Sequence, residues 1–431
     1  MRENGPMYEL TSILTSQKLE FEFRLTKPYI SRIIKQVSLD NDLIKVILGP
    51  RRCGKSFYGA HLINTVRPFG YANLDDEKLA KLNNLDELMA GIKAVYHSPC
   101  NLLFDEIQNI EGWELFVNRL QREGFRLILT GSNAHLLSAE LATHLTGRHI
   151  PIVMFPFSFS EYCTTIKADT SDVIAAVHHC NEYLSIGGYP EPLMSTIDRR
   201  DYMVSLFQST IYKDIVRRHR ITSPQAIEDL ARYLLSNVGS EYSYRSLIQV
   251  LGMKSDLTAR RYLGYLEQAF LVFSMPRFSY KAGRQASFNK KIYSIDPGLV
   301  SAIGFSSSPN YGSRAENAIA VALRKRELNN DIRLYFWKNE QGEEVDFLVF
   351  RDRAVRELVQ VCWNLTSRKT YDREVRALIK ASVELRCQSL TIITEREERE
   401  EKASWNGDTA TIQIVPLWKW LMRNEQPEAV A

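Results

Sequence analysis

The run Gly49-Pro50-Arg51-Arg52-Cys53-Gly54-Lys55-Ser56 spaces its residues as G-x-x-x-x-G-K-S. That spacing suits phosphate. The glycines let the backbone wrap an anion, and successive N–H groups point inward. Lys55 then reaches the β- and γ-phosphates of a nucleotide, and the Ser56 hydroxyl holds Mg²⁺. The binding candidates are therefore Gly49, Pro50, Arg51, Arg52, Cys53, Gly54, Lys55, Ser56 and Phe57. A partner acidic motif follows in "NLLFDEIQ", where a short apolar strand ends in Asp105-Glu106. Asp105 is placed to join Ser56 around Mg²⁺, and Glu106 to orient or deprotonate water. The next apolar run, "FRLILTGSNA", brings Ser132 or Asn133 to its carboxyl edge beside the γ-phosphate, and Asn133 is carried as the catalytic candidate.

These side chains need a scaffold that gathers loop ends at one edge. An apolar strand over 43–48 runs into Gly49, an apolar helix follows Ser56, and further strands alternate with helices. That alternation predicts an α/β fold with a parallel sheet and the ligand at the carboxyl ends of its strands. The 431 residues exceed what one core organises, so two to four domains are expected. A composition of 45% hydrophobic and 25% charged residues is that of a folded soluble protein. The net charge of +4 neither demands nor forbids nucleic acid, because local basic faces matter more than the sum. The six cysteines form no CxxC pair, which argues against structural zinc and fits a reducing cytosol. The opening "MRENGPMYEL" has no apolar signal region, and no apolar run is long enough to span a membrane, so a cytoplasmic location is expected.

The segments "GPRRCGKS", "YANLDDE", "LLFDEIQ", "LTGSNAHLL", "LTGRHIPIVMFPFSFSEY" and "YLSIGGYPEPL" together resemble the AAA+ superfamily ATPases of archaea and bacteria that carry a C-terminal restriction-endonuclease-like domain. The resemblance runs from about residue 20 nearly to the end. It implies a helical lid, ATP and Mg²⁺ as cofactors, and a homo-oligomer, with a hexameric ring favoured. It also implies that Arg148, just before the fifth strand, reaches a neighbour's ATP. In "YKDIVRRHRI", the resemblance makes either Arg217 or Arg218 a candidate for the in-cis arginine sensor.

Beyond the lid, helix, short helix, turn, longer helix and strand outline a winged helix. Leu257, Tyr262, Leu263, Leu266 and Phe270 mark the apolar face of the longer helix. Lys254, Arg260 and Arg261 lie in or before that helix, and Arg277, Lys281, Arg284, Lys290 and Lys291 in or after the wing, which suits DNA as a partner. The last part is similar to a restriction-nuclease core. That likeness places Glu316 and Asp346 at a metal site, but Gln360 and Cys362 stand where a Glu-x-Lys is needed. Glu357 is expected to face away from Gln360, and Lys369 is a candidate to fill in. A nuclease shape without cutting is the expectation.

The expected segments are an N-terminal piece over 1–35, a P-loop AAA+ core over 36–165, a helical lid over 166–228, a winged helix over 229–285 and an α/β nuclease-like domain over 286–431. The expected function is a DNA-binding or DNA-remodelling ATPase. Two alternatives come from other classes: a nucleotide-gated signalling or defence switch acting on a protein partner, and an active ATP-dependent nuclease.

Overall fold

The computed structural model describes residues 6–34, 37–82, 84–133, 147–252, 255–305, 310–329 and 332–425, with Pro6 and Met7 in backbone only. Lys254 lies outside the described residues. The chain forms two compact units, Met1–Met154 and Phe155–Ala431.

The first unit runs α1 (Pro6–Leu25), β1 (Ile44–Leu48), α2 (Lys55–Ile63), β2 (Phe69–Asn73), α3 (Leu85–Tyr96), β3 (Asn101–Asp105), α4 (Trp113–Arg122), β4 (Arg126–Gly131) and β5 (His149–Val153). Its strands form a parallel sheet in the order β2-β3-β4-β1-β5. β1 and β3 are buried at every position, as interior strands covered on both faces are, and this burial includes Lys45, Asn101 and Asp105. The expected parallel α/β core is the one found.

The segment expected to stand apart at 1–35 belongs to this unit. Leu10, Leu14, Gln17 and Phe21 recur at helical spacing and are buried. Phe21 packs against Tyr71 of β2 with ring centroids 4.8 Å apart. The Gln17 amide donates to the Asn73 carbonyl at 3.0 Å and accepts from the Asn73 N–H at 2.8 Å. A Cβ on Gly91 of α3 would stand 2.8 Å from Leu14, so this glycine permits the close approach of the helix.

The second unit begins with α5 (Phe159–Ile166), α6 (Val173–Ile186), α7 (Pro190–Met194), α8 (Arg199–Ser209), a π-helical continuation over Thr210–Arg217, and α9 (Pro224–Ser236). Next come β6 (Glu241–Tyr242), α10 (Tyr244–Leu251), α11 (Asp256–Gln268), β7 (Val272–Pro276), α12 (Ala282–Ser287), β8 (Lys290–Ser294) and α13 (Pro297–Ile303). It ends with α14 (Tyr311–Asn329), β9 (Arg333–Lys338), β10 (Glu344–Arg351), β11 (Ala354–Val361), α15 (Arg368–Leu385), β12 (Leu390–Thr394), β13 (Arg399–Trp405), β14 (Asp408–Pro416) and α16 (Leu417–Asn424). A three-stranded antiparallel sheet has the order β6-β8-β7, and a six-stranded mixed sheet the order β13-β14-β12-β11-β10-β9. Asp352 and Arg353, both at positive φ (51° and 60°), make the two-residue turn between β10 and β11.

Three expectations differ from this arrangement. The first unit ends at Met154, not at 165. The N-terminus of α5 is held within the second unit, where the Glu425 carboxylate accepts from the N–H groups of Phe159 (3.1 Å) and Ser160 (2.9 Å). A boundary at 285 would split the β6-β8-β7 sheet, because β8 pairs with both neighbours. Leu257 is 71% exposed in the first turn of α11, whose buried face is Ala259, Tyr262, Leu263 and Leu266. Phe270 is buried but lies past the helix, at a φ of 53°.

The Gly187-Gly188 pair of "YLSIGGYPEPL" serves packing. A Cβ on Gly188 would stand 2.0 Å from the Phe157 carbonyl oxygen, and one on Gly187 2.0 Å from Asp296 Oδ1. Asp296 is buried and accepts from the N–H groups of Gly188 (2.7 Å) and Gly298 (2.8 Å). Burial pushes its carboxyl up to about 6, against the pull of those donors. A carboxyl raised in the folded state binds more protons there than in the unfolded chain. Its stabilising contribution is full at pH values below its ordinary range and is lost as pH rises through about 6. Unfolding free energies measured from pH 4 to 7 should therefore fall for the parent relative to Asp296→Asn, by on the order of a few kcal/mol. A parent-to-variant difference that stays constant with pH would contradict this.

Candidate functional site

The phosphate loop leaves β1 at Leu48, whose carbonyl accepts from the Met154 N–H at 2.7 Å. The loop passes so close to the end of β5 that a Cβ on Gly49 would stand 2.0 Å from the Met154 oxygen. Arg52 (φ 66°) and Gly54 (φ 99°) take left-handed conformations that turn the chain into α2. Cys53 is buried with its Sγ 3.7 Å from the Met154 oxygen, and burial pushes its thiol up. Arg32 donates to the Cys53 carbonyl at 2.9 Å and braces the loop. Phe57, in the first turn of α2, stacks on His61 at 6.2 Å.

Lys55 is 4% exposed, and its ammonium donates to the Pro50 carbonyl at 2.9 Å and lies 4.0 Å from Glu106. The Ser56 hydroxyl donates to Asp105 Oδ1 at 2.9 Å. Thr130 donates to the same oxygen and accepts from the Glu106 N–H at 3.0 Å. Glu106 itself sits at a φ of 54°, a left-handed conformation that costs a non-glycine residue about 1–3 kcal/mol. Burial would raise the Glu106 carboxyl, but Lys55, then Gln108, Arg51 and Ser132, outweigh it and hold the group below its ordinary value. Burial and the neighbouring Glu106 charge push Asp105 up, while Thr130, Ser56 and Arg24 pull the other way.

The structure thus brings Lys55, Ser56, Asp105 and Glu106 together. Of the two residues beyond β4, Ser132 is buried and accepts from Gln108, which also donates to Glu106. Asn133 follows it, half-buried. Arg148 is exposed immediately before β5, with its carbonyl accepting from the Ile44 N–H at 3.0 Å. Arg217 and Arg218 lie in the second unit, at the end of the π-helical segment. Sequence reasoning missed Arg24, Tyr71, Gln108 and Thr130. Tyr71 donates to Asp105 Oδ2 at 3.4 Å, and the Arg24 guanidinium lies 3.4 Å from the Tyr71 hydroxyl and 3.7 Å from Asp105. Arg24 was discoverable only by following the buried face of α1 one turn past Phe21.

A second cluster lies in the six-stranded sheet. Glu316 of α14 meets Glu344 and Asp346 of β10, next to an irregularity in the β10–β9 pairing between Val345 and Leu348. The lysine in this cluster is neither at position 362 nor Lys369, which is exposed at the start of α15. It is Lys291 of β8, 3% exposed, at 2.6 Å from Glu344, 2.9 Å from Asp346 and 3.1 Å from Glu316. The expected role of Lys291 as a DNA contact is therefore overturned, because its ammonium is buried among carboxylates. Gln360 is a bridge: its carbonyl accepts from the Asp346 N–H at 3.1 Å and its amide donates to Glu374 at 2.9 Å. Cys362 donates to the Asn364 carbonyl at 3.4 Å, its thiol pushed up to about 11 by burial. Glu357 pairs with Arg326 at 3.0 Å.

Residues 41–163 match the model of an AAA domain. Residues 177–309 match a domain of unknown function, DUF8612, and residues 311–420 another, DUF4143. An uncharacterized protein of Haemophilus influenzae is 29% identical over 327 residues, covering 72% of this chain and 80% of that one. AMPPCP-bound DnaA from Aquifex aeolicus aligns over 61% of this chain and 92% of its own at 15% identity and a TM-score of 0.28, too low to carry a functional argument. An uncharacterized protein of Methanocaldococcus jannaschii is 33% identical over 405 residues, covering 89% of both chains. With that identity and coverage, the chain belongs to the same family as the M. jannaschii protein, and the segment that carries Lys55, Ser56, Asp105 and Glu106 matches an AAA domain.

Proposed function

We propose that the protein is an Mg²⁺-dependent AAA+ ATPase that acts on DNA as a ring, with a hexamer favoured, and that its C-terminal domain is nuclease-like in shape but does not cut. The observation that carries the ATPase reading is the convergence of Lys55, Ser56, Asp105 and Glu106. Ser56 and Asp105 offer hard oxygens 2.9 Å apart and would hold Mg²⁺, which supplies charge neutralisation on the β- and γ-phosphates. Lys55 exchanges the Pro50 carbonyl for phosphate oxygens. Glu106, ionised beside Lys55, orients the attacking water and accepts its proton. Gln108 steadies the Glu106 carboxylate, while Thr130 and Tyr71 hold Asp105. In a ring, Arg148 completes the neighbour's pocket, and Arg217 or Arg218 senses the nucleotide in cis.

For DNA, we take α9, α10, α11 and the β6-β8-β7 sheet as a winged helix; Arg260 and Arg261 are exposed on α11. Beside the wing lies a groove of about 450 Å³, lined by Arg277, Tyr280, Lys281, Arg284 and Phe288, and also by Glu340 and Glu384. Tyr280 is 68% exposed and available for stacking, and Arg277 lies 4.2 Å over the Phe288 ring. Cations beside open rings favour nucleic acid over a protein partner.

Phosphate release with and without single-stranded, duplex and branched DNA tests the whole reading. DNA should raise the rate, and a rate indifferent to all three counts against a DNA motor. Lys281→Glu with Arg284→Glu should weaken DNA binding at least about tenfold and flatten its salt dependence. Unchanged affinity would remove the groove from the interface. Cleavage of linear, single-stranded or four-way-junction DNA in Mg²⁺ or Mn²⁺, lost in Asp346→Ala, would overturn the non-cutting assignment.

A further inference from the structure

The carboxylates of Glu316, Glu344 and Asp346 converge on one point, and that point holds the Lys291 ammonium. An ammonium has three N–H donors, and here each carboxylate stands within 3.1 Å of it. The cation belongs to β8, in the three-stranded sheet, whereas Glu344 and Asp346 belong to β10 of the six-stranded sheet. Lys291 is 3% exposed, so solvent barely reaches the contact. Tyr293, two residues along β8, donates to Glu316 at 2.7 Å and fixes the same approach. Three carboxylates around one ammonium leave surplus negative charge, which Lys338, 3.4 Å from Glu344, offsets only at the edge of the cluster. In keeping with this, burial, and Asp346 beside it, push the Glu316 carboxyl up against the pull of Lys291. Oxygen donors arranged in this way are also what a hard divalent cation selects.

We propose that Lys291 is a tethered cation that fills this carboxylate site and closes it to divalent metal, and that the site takes a hard divalent ion once the ammonium is removed. Replacing Lys291 by a neutral side chain strands like charges in a buried place, which is strongly unfavourable unless they gain protons or a new cation. The inference rests on the non-cutting reading above and gives it a physical cause. The two fail separately, because cleavage by the parent tests that reading while the experiment here contains no DNA.

The test is a Mn²⁺ titration of the full chain without nucleotide, read by the electron paramagnetic resonance of free Mn²⁺ and by thermal unfolding. Lys291→Met, which keeps the buried methylene volume, should bind one additional Mn²⁺ relative to the parent, and that ion should be lost in Lys291→Met with Asp346→Asn. The melting temperature of Lys291→Met should lie below the parent's and rise with Mn²⁺ by more than the parent's does. Asp346-dependent Mn²⁺ binding in the parent overturns the proposal, as does a folded Lys291→Met that binds no additional ion. Should Lys291→Met fail to fold by itself, refolding with Mn²⁺ decides. Recovery that needs both Mn²⁺ and Asp346 supports the proposal, and no recovery overturns it.

Discussion

Glu106→Gln should retain ATP and lose hydrolysis by about 10²–10⁴-fold. The substitution is nearly isosteric, and it leaves the Gly49 and Gly54 turns, the Lys55 ammonium and the Ser56–Asp105 pair in place. What it removes is the one carboxylate that Lys55, Gln108, Arg51 and Ser132 together keep ionised. Lys55→Ala is the complementary variant. It deletes the cation buried against the loop and should abolish ATP binding itself. Equilibrium binding of a fluorescent ATP analogue, measured beside phosphate release, separates the two. If Glu106→Gln turns over at the parental rate, the water-orienting role belongs to another residue. If it loses binding together with hydrolysis, the Glu106 carboxylate is needed to hold Lys55 and the shape of the pocket rather than for proton transfer alone.

Arg148→Ala should lower ATP hydrolysis by about 10³-fold with little change in ATP affinity, because an arginine finger acts on charge that develops in the transition state. The residue is exposed at the amino end of β5, where a neighbouring copy can meet it. Arg148→Ala subunits mixed with Lys55→Ala subunits should regain part of the rate. In such a mixture some interfaces pair an intact pocket with an intact finger. Rings that form but regain nothing would show that Arg148 does not act across an interface.

The convergence of Lys55, Ser56, Asp105 and Glu106 was legible in the sequence because its parts are local. Gly49 to Ser56 are contiguous, and Asp105-Glu106 end a strand whose every residue is buried. Spacing and apolar patterning carry that information. What escaped detection depends on contacts between distant segments. Arg24 reaches Asp105 only because α1 lies along the outer strand, and no local pattern says which strand an amphipathic helix will cover. Lys291 illustrates the same limit more sharply. It reads as one more cation of a basic wing, beside Lys290, and only pairing within the β6-β8-β7 sheet turns it inward. The alternation rule served better within single strands: Glu357 and Gln360 take separate partners, Arg326 and Glu374, as an odd offset requires.

The Gln17 amide occupies both backbone groups of Asn73 on the outermost strand of the five-stranded parallel sheet, as a neighbouring strand would. A fragment trimmed to the AAA match, residues 41–163, has no α1. It bares that strand together with the Tyr71 ring that Phe21 covers. An uncovered strand edge is a template for pairing with another copy. Such a fragment should therefore self-associate edge to edge, in assemblies indifferent to ATP and to Arg148. On a sizing column these would pass for rings, so the oligomeric state of this protein has to be measured on chains that keep residues 6–25.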